Sequence, residues 1–159
     1  MTQRLNPAAL SPGLYKAYLD FSQGQKKGGV DEILLDLIHI RASQINGCAF
    51  CLDMHVKEAK IHGERELRLH HLAIWRESPL FDVRERAALA WTESLTRLGE
   101  GGVPDDIYDE ARMRFSEKEL ADLTFAVVAI NGWNRLSIAF RNQPGSMDAA
   151  YGLTAAGLS

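Results

Sequence analysis

No stretch of this 159-residue chain alternates apolar and polar residues long enough to read as a strand; the apolar positions recur at helical spacing instead. That period confines the chain to an all-α fold, and the punctuation between segments sets the number of helices. Ser11 and Pro12 open a first helix that fades over Gly24 to Gly29, proline being tolerated in a first turn. Asp31 can cap a second, in which Ile33, Leu34, Leu37, Ile38, Ala42 and Ile45 share one broad face before Asn46 and Gly47 interrupt it. A third runs from Cys48 to His62 and stops at Gly63, a residue suited to a left-handed helix end. A short helix from Glu64 to Trp75 ends at Ser78 and Pro79.

Asp82 with Glu85, and Ser116 with Glu119, have the three-residue offset of capping boxes. They open a helix ending near Gly99 and a long one reaching Phe140, with a short helix over Asp105 to Arg114 between them. The long helix is apolar around much of its circumference, as expected at the centre of a bundle. Residues 1–142 read as a single helical domain, and 143–159 as a tail of small residues expected to pack against another subunit.

Composition narrows the function classes. Apolar residues make up 46% and charged residues 25%, the balance of an ordinary globular domain. A formal net charge of −3 argues against a nucleic-acid partner, which calls for a surplus of Lys and Arg. The N-terminal residues lack the apolar run of a signal peptide and no segment has about 18 uninterrupted apolar residues, so the expected location is the cytoplasm, with no membrane partner.

Cys48 and Cys51 are the only cysteines. In a reducing compartment such a close pair is expected to be redox-active or metal-binding rather than a structural staple. At 100° per residue Cys48, Cys51, His55, Ala59 and His62 fall within a sector of roughly 80°, with Asp53, Lys57 and Lys60 opposite. Both cysteines lie at the helix start, where free amides and the dipole favour a thiolate. His55, four residues after Cys51, can approach that sulfur and take its proton, which makes Cys51 the expected nucleophile and His55 its base. A sulfenic acid formed on Cys51 by a peroxide could be resolved by Cys48 one turn away, and a dithiol reductant would restore both thiols.

The preceding helix adds a narrow polar strip of Asp36, His39 and Ser43, in which Asp36 could relay protons to the thiol pair. A competing reading makes the pair a zinc site, two sulfurs and His55 being joined by His39, Asp36 or His62, in a binding or redox-sensing protein without turnover. Surface or packing roles are expected for His70 and His71, and core or subunit contacts for Trp91, Trp133 and Phe125. Glu85 and Arg135 could form an ion pair.

With an acidic residue twelve positions before Cys-x-x-Cys-x-x-x-His, here Asp36, Cys48, Cys51 and His55, the chain resembles the alkylhydroperoxidase D-like group within the carboxymuconolactone decarboxylase superfamily. The run from Leu37 to Gly47 and the segment Asn131-Gly132-Trp133-Asn134-Arg135-Leu136 are also similar to that family, and the resemblance extends from about residue 15 to 142. It implies an all-helical homotrimer or homohexamer that reduces alkyl hydroperoxides without a cofactor or metal, Cys51 reacting first and Cys48 resolving. A lipoyl-bearing or thioredoxin-like dithiol protein is the implied electron donor. Two positions depart from the better characterised members: Asp36 stands where they have glutamate, and Phe50 where they have a histidine between the cysteines.

Overall fold

A computed structural model describes residues 2–25 and 28–158. Lys26 and Lys27, in the stretch where the first predicted helix fades, lie outside the described residues, as does Ser159 at the end of the tail. The described residues form helices joined by turns, with no strand among them and a single isolated bridge between Gly99 and Gly102. In chain order the helices are α1 (Pro7–Leu10), α2 (Pro12–Gly24), α3 (Glu32–Asn46), α4 (Ala49–Ile61), α5 (Glu66–His71), α6 (Val83–Thr96), α7 (Asp105–Arg114), α8 (Glu117–Phe140) and α9 (Asp148–Tyr151). Short 3₁₀ turns follow α5 and α9, at Leu72–Ile74 and Leu153–Ala156.

The helix boundaries follow local chemistry. Asp31 accepts the Leu34 amide at the start of α3, and both predicted capping boxes are present, Asp82 with Glu85 and Ser116 with Glu119. The turn α1 is an addition to the sequence reading; Asn6 caps it by accepting the amides of Ala8 and Ala9.

α3 is the hub, packed on α4, α6 and α8. Leu34, Leu35 and Ile38 enter one core with Trp91 of α6, Phe115, and Leu123 and Val127 of α8. Leu37 and Ile40 enter a second with Ala59 of α4, Leu72, Trp75 and Leu89. A third and smaller cluster joins Ala42, Cys48, Cys51 and Ile130. Burial on so many sides accounts for the polar strip: Asp36, His39 and Ser43 are each at most 4% exposed, so the strip points into the protein rather than to solvent.

α8 has the length and mean hydropathy, 1.2, of a helix able to cross a membrane. Its place is inside the bundle, against α2, α3, α4, α6 and α7. The predicted Glu85 and Arg135 pair is replaced by two others. Glu85 pairs with Arg68, and Arg135 donates to the carbonyl and side chain of Asn131. Trp91 is in the core, whereas Phe125 is 56% exposed. The tail, expected against another subunit, lies on α4 of its own chain: Asp148 accepts from Lys57 at 2.7 Å, and Asp53 accepts the Gly145 amide at 2.9 Å.

Candidate active site

The cysteine pair is set by the turn between α3 and α4. Gly47 ends α3 at φ 69°, a left-handed conformation that costs glycine little, and the Cys48 amide then reaches back to the Ser43 carbonyl at 3.0 Å. Cys48 is thereby the residue before the first turn of α4, a capping position more often filled by Ser or Asp. Its sulfur accepts the Cys51 amide at 3.3 Å. Asn46 clamps the same turn to α8, donating to Asn131 Oδ1 at 3.0 Å and Asn134 Oδ1 at 2.8 Å, and Asn134 donates onward to Ser43 Oγ at 3.1 Å. The Asn131 to Asn134 segment is therefore part of the frame that holds the thiols.

Both cysteines are free and buried, with their sulfurs 2.7 Å apart. The sulfurs are in near contact, at a separation longer than the 2.05 Å of a disulfide. Cys48 is the sulfur that ionises first. The Cys51 thiol and amide donate to it, Asn134 and Ser137 add hydrogen bonds, and its pKa falls to about 7 despite burial. Cys51 moves upward, because its proton is held by Cys48, and because burial and the neighbouring negative sulfur oppose a second charge. Access is divided the other way: Cys51 lines a cavity of about 770 Å³, and Cys48 lies behind it.

His39, Phe50, His55, Glu58, Trp133 and Ser137 also line that cavity. The imidazoles of His39 and His55 lie 4.6 Å apart, so the polar strip of α3 does meet the cysteine face of α4. His55 departs from the sequence reading in one respect. Its Nδ1 is 2.6 Å from Glu58 Oε2, and the hydrogen-bond partner of the Cys51 thiol is Cys48, not His55. Asp36 departs further: its Oδ2 is 2.6 Å from Nδ1 of His62, the residue that ends α4, whose Nε2 lies 3.4 Å from Glu32. Burial raises the Asp36 carboxyl to about 6, partly offset by the hydrogen bond and charge of His62. Seven residues of α3 separate Asp36 from Ser43 at the level of the thiols, about 10 Å along the helix.

Sequence reasoning missed Glu58 and Ser137, and it noted Asn134 only as part of the family-like segment 131–136, without a role. Glu58 was legible as the carboxylate three residues after His55, on the adjoining part of the helix surface. The α8 residues carried no local signal. For zinc, two sulfurs at 2.3 Å in a tetrahedral shell would stand roughly 3.8 Å apart. The pair is closer than that, and among the described residues no three His, Cys, Asp or Glu side chains converge as a metal-ligand set.

Comparison with known proteins places this geometry in a family. The model of the carboxymuconolactone decarboxylase family matches residues 12–94, which include Asp36, both cysteines, His55 and Glu58. The uncharacterised protein YdfG of Bacillus subtilis is 37% identical over 146 residues, 92% of this chain and 99% of that one. Among solved structures, a protein of unknown function from Agrobacterium tumefaciens, provisionally assigned to antioxidant defence as AhpD, is 41% identical with a TM-score of 0.87, covering 90% of this chain and 98% of that one. A debrominase in its apo form shares the fold at a TM-score of 0.78 and 18% identity, over 89% of this chain and 76% of that one.

Proposed function

This chain belongs to the carboxymuconolactone decarboxylase family, and from that premise we propose that it is an alkylhydroperoxidase D-like peroxidase working through a Cys48 and Cys51 dithiol–disulfide cycle. The observation that carries the reading is the placement of the sulfurs: Cys51 faces the cavity, and Cys48 adjoins it from behind, where the Cys51 amide and Asn134 favour its thiolate. As a hydroperoxide approaches, the Cys48 thiolate takes the Cys51 proton across their 2.7 Å contact, and the Cys51 sulfur attacks the terminal peroxide oxygen. The S–O bond forms, the O–O bond breaks, and the departing alkoxide leaves as alcohol with a proton delivered by His55, which Glu58 holds in place. Cys48 then attacks the sulfenic sulfur; the S–S bond forms, the S–O bond breaks, and the Cys48 proton leaves with the hydroxyl as water. A dithiol donor, lipoyl-bearing or thioredoxin-like, is oxidised as it returns both cysteines to thiols.

The revision to the sequence reading concerns the proton. Cys48 is the base toward Cys51, His55 the acid toward the leaving oxygen, and Asp36 fastens α3 to the end of α4 through His62. Phe50, in place of a histidine, adds apolar wall to the cavity. Assembly as a homotrimer or homohexamer in the cytoplasm belongs to the same reading. The exposed Phe21, Phe125 and Val128 supply apolar surface for subunit contact, and light scattering would measure its extent.

The decisive experiment compares two variants. Cys51→Ser is expected to abolish consumption of cumene hydroperoxide in the presence of a dithiol, whereas Cys48→Ser, lacking the base as well as the resolving sulfur, should form more slowly a sulfenic acid on Cys51 that a dimedone-type probe traps. Turnover retained by both variants would sink the proposal.

A further inference from the structure

The cavity beside Cys51 has two kinds of wall. On the α8 side Trp133 is fixed by helix packing, its ring 5.3 Å from that of Tyr15 and 4.9 Å from that of Tyr18. Tyr18 in turn donates to the Ala129 carbonyl at 2.8 Å, against a glycine at 132 where a Cβ would come within 1.9 Å of the tyrosine oxygen. This wall is part of the bundle.

The C-terminal tail builds the other wall from outside the bundle. Met147 and Tyr151 both line the cavity, and the Tyr151 amide donates to the Met147 carbonyl at 3.0 Å, which closes the single turn of α9. Four residues apart, they lie on one side of that turn. Asp148, the next residue after Met147, is directed at α4 instead, where its Oδ2 accepts from Lys57 Nζ at 2.7 Å. Lys57 also donates to Asp53 at 2.9 Å, and Asp53 accepts the Gly145 amide at 2.9 Å, so one lysine between two carboxylates ties both ends of the segment 145–148. With its side chain 7% exposed, Lys57 is shielded from the screening that weakens surface pairs. Beyond α9 the buried Leu153 opens a 3₁₀ turn that packs on α4. Burial pushes the Tyr15 phenol up and the nearby Tyr151 pushes it further, in keeping with a tail that reaches from α4 across to α2.

Such a wall matters to one kind of peroxide and not to another. An organic hydroperoxide can bury its carbon skeleton against Met147 and Tyr151, and a thioether adapts to skeletons of different shape. Hydrogen peroxide has no skeleton to bury. Contacts made only with the organic group therefore separate the two substrates.

We propose that the tail segment 145–151 is the specificity-determining wall of this cavity: Met147 and Tyr151 grip the organic group of the substrate, and Asp53, Lys57 and Asp148 are positioning residues that hold them there. The proposal rests on the peroxidase reading and adds to it the part of the chain that favours organic hydroperoxides over hydrogen peroxide.

Kinetics on the two substrates with a dithiol reductant test it. Met147→Ala is expected to lower kcat/KM for cumene hydroperoxide about tenfold, chiefly through KM, and to leave kcat/KM for hydrogen peroxide within about twofold of wild type. Asp148→Ala changes a side chain that meets Lys57 rather than the cavity, and leaves Lys57 its contact with Asp53. It should shift the same ratio in the same direction, by about fivefold, and Asp148→Asn, which keeps an acceptor oxygen for Lys57, should recover most of the loss. Equal losses on both substrates would give the tail a general structural role and overturn the proposal; so would an unchanged ratio in both alanine variants. Cumyl alcohol has no O–O bond, so its binding to the reduced protein, followed by tryptophan fluorescence, reads the wall apart from the chemistry. Weaker binding by Met147→Ala and Asp148→Ala, together with no turnover of either peroxide by wild type, would discard the peroxidase reading and retain the tail as the selecting wall. Equal binding by wild type and both variants would overturn the proposal whatever the turnover.

Discussion

Two carboxylate–imidazole pairs lie along α4, each with 2.6 Å between oxygen and Nδ1, and they differ in what surrounds them. Glu58 and His55 are neighbours on one helix and both line the cavity that Cys51 faces. Asp36 and His62 join α3 to the end of α4, outside that cavity, with the Asp36 side chain only 5% exposed. Identical contact chemistry therefore serves two purposes. Beside reacting atoms it positions an acid or base; between two helices it is a polar fastening whose cost is the burial of a carboxyl group. The carboxylate that spacing from the cysteines singles out joins two helices, and the one that lines the cavity with Cys51 comes from the cysteine helix itself.

The comparison can be broken by mutation. His55→Asn is expected to lower kcat/KM for cumene hydroperoxide by about 10²- to 10³-fold, the range for loss of a positioned acid or base, whereas His62→Asn should cost less than about threefold. A comparable loss at His62 would place both pairs in the catalytic path. A smaller effect is expected for Glu58→Gln, on the order of 10-fold in kcat/KM, because the amide still accepts from Nδ1 but no longer stabilises a charged imidazole. Its diagnostic is a displaced pH–rate profile, partly restored by Glu58→Asp; an unmoved profile would assign Glu58 a packing role.

The smallest effect belongs to Asp36 and appears in stability. Its folded pKa of about 6 lies above the ordinary aspartate value, so the folded state binds the extra proton and the protein loses stability as pH rises through 6. Chemical denaturation should show this group contributing roughly 1 kcal/mol more stability at pH 5 than at pH 7, and Asp36→Asn should remove that increment. An unchanged slope in the variant would mean that His62 keeps the carboxylate charged throughout.

Thiol alkylation sharpens the division between the two sulfurs. Reaction of Cys48 with iodoacetamide in the Cys51→Ser protein should need a higher pH than in wild type, whose Cys48 ionises near 7, because serine donates a different hydrogen bond in place of the Cys51 thiol.

What the sequence made legible was local. The Asp31 cap, the two capping boxes, the Gly47 stop and the shared face of Cys51 and His55 each depend on residues a few positions apart, where helix geometry alone decides. The burial of Asp36, His39 and Ser43 was not legible, since a polar strip reads the same whether it faces water or another helix. Nor were Asn134 and Ser137, which approach the sulfurs only because α8 crosses α3 nearly 90 residues later. The tail illustrates the same limit, since Lys57 reads as a solvent-facing charge until Asp148 is folded onto it.

Cys48 caps α4 with the atom that would be oxidised. While reduced, its sulfur receives the Cys51 amide, and as a thiolate it also meets the positive end of the helix. Joining that sulfur to Cys51 removes the negative charge and weakens the acceptor, so the first turn of α4 is held less firmly in the oxidised protein. In the proposed cycle, amide exchange at Cys51 would therefore be slow while the thiols are reduced and faster once they are joined.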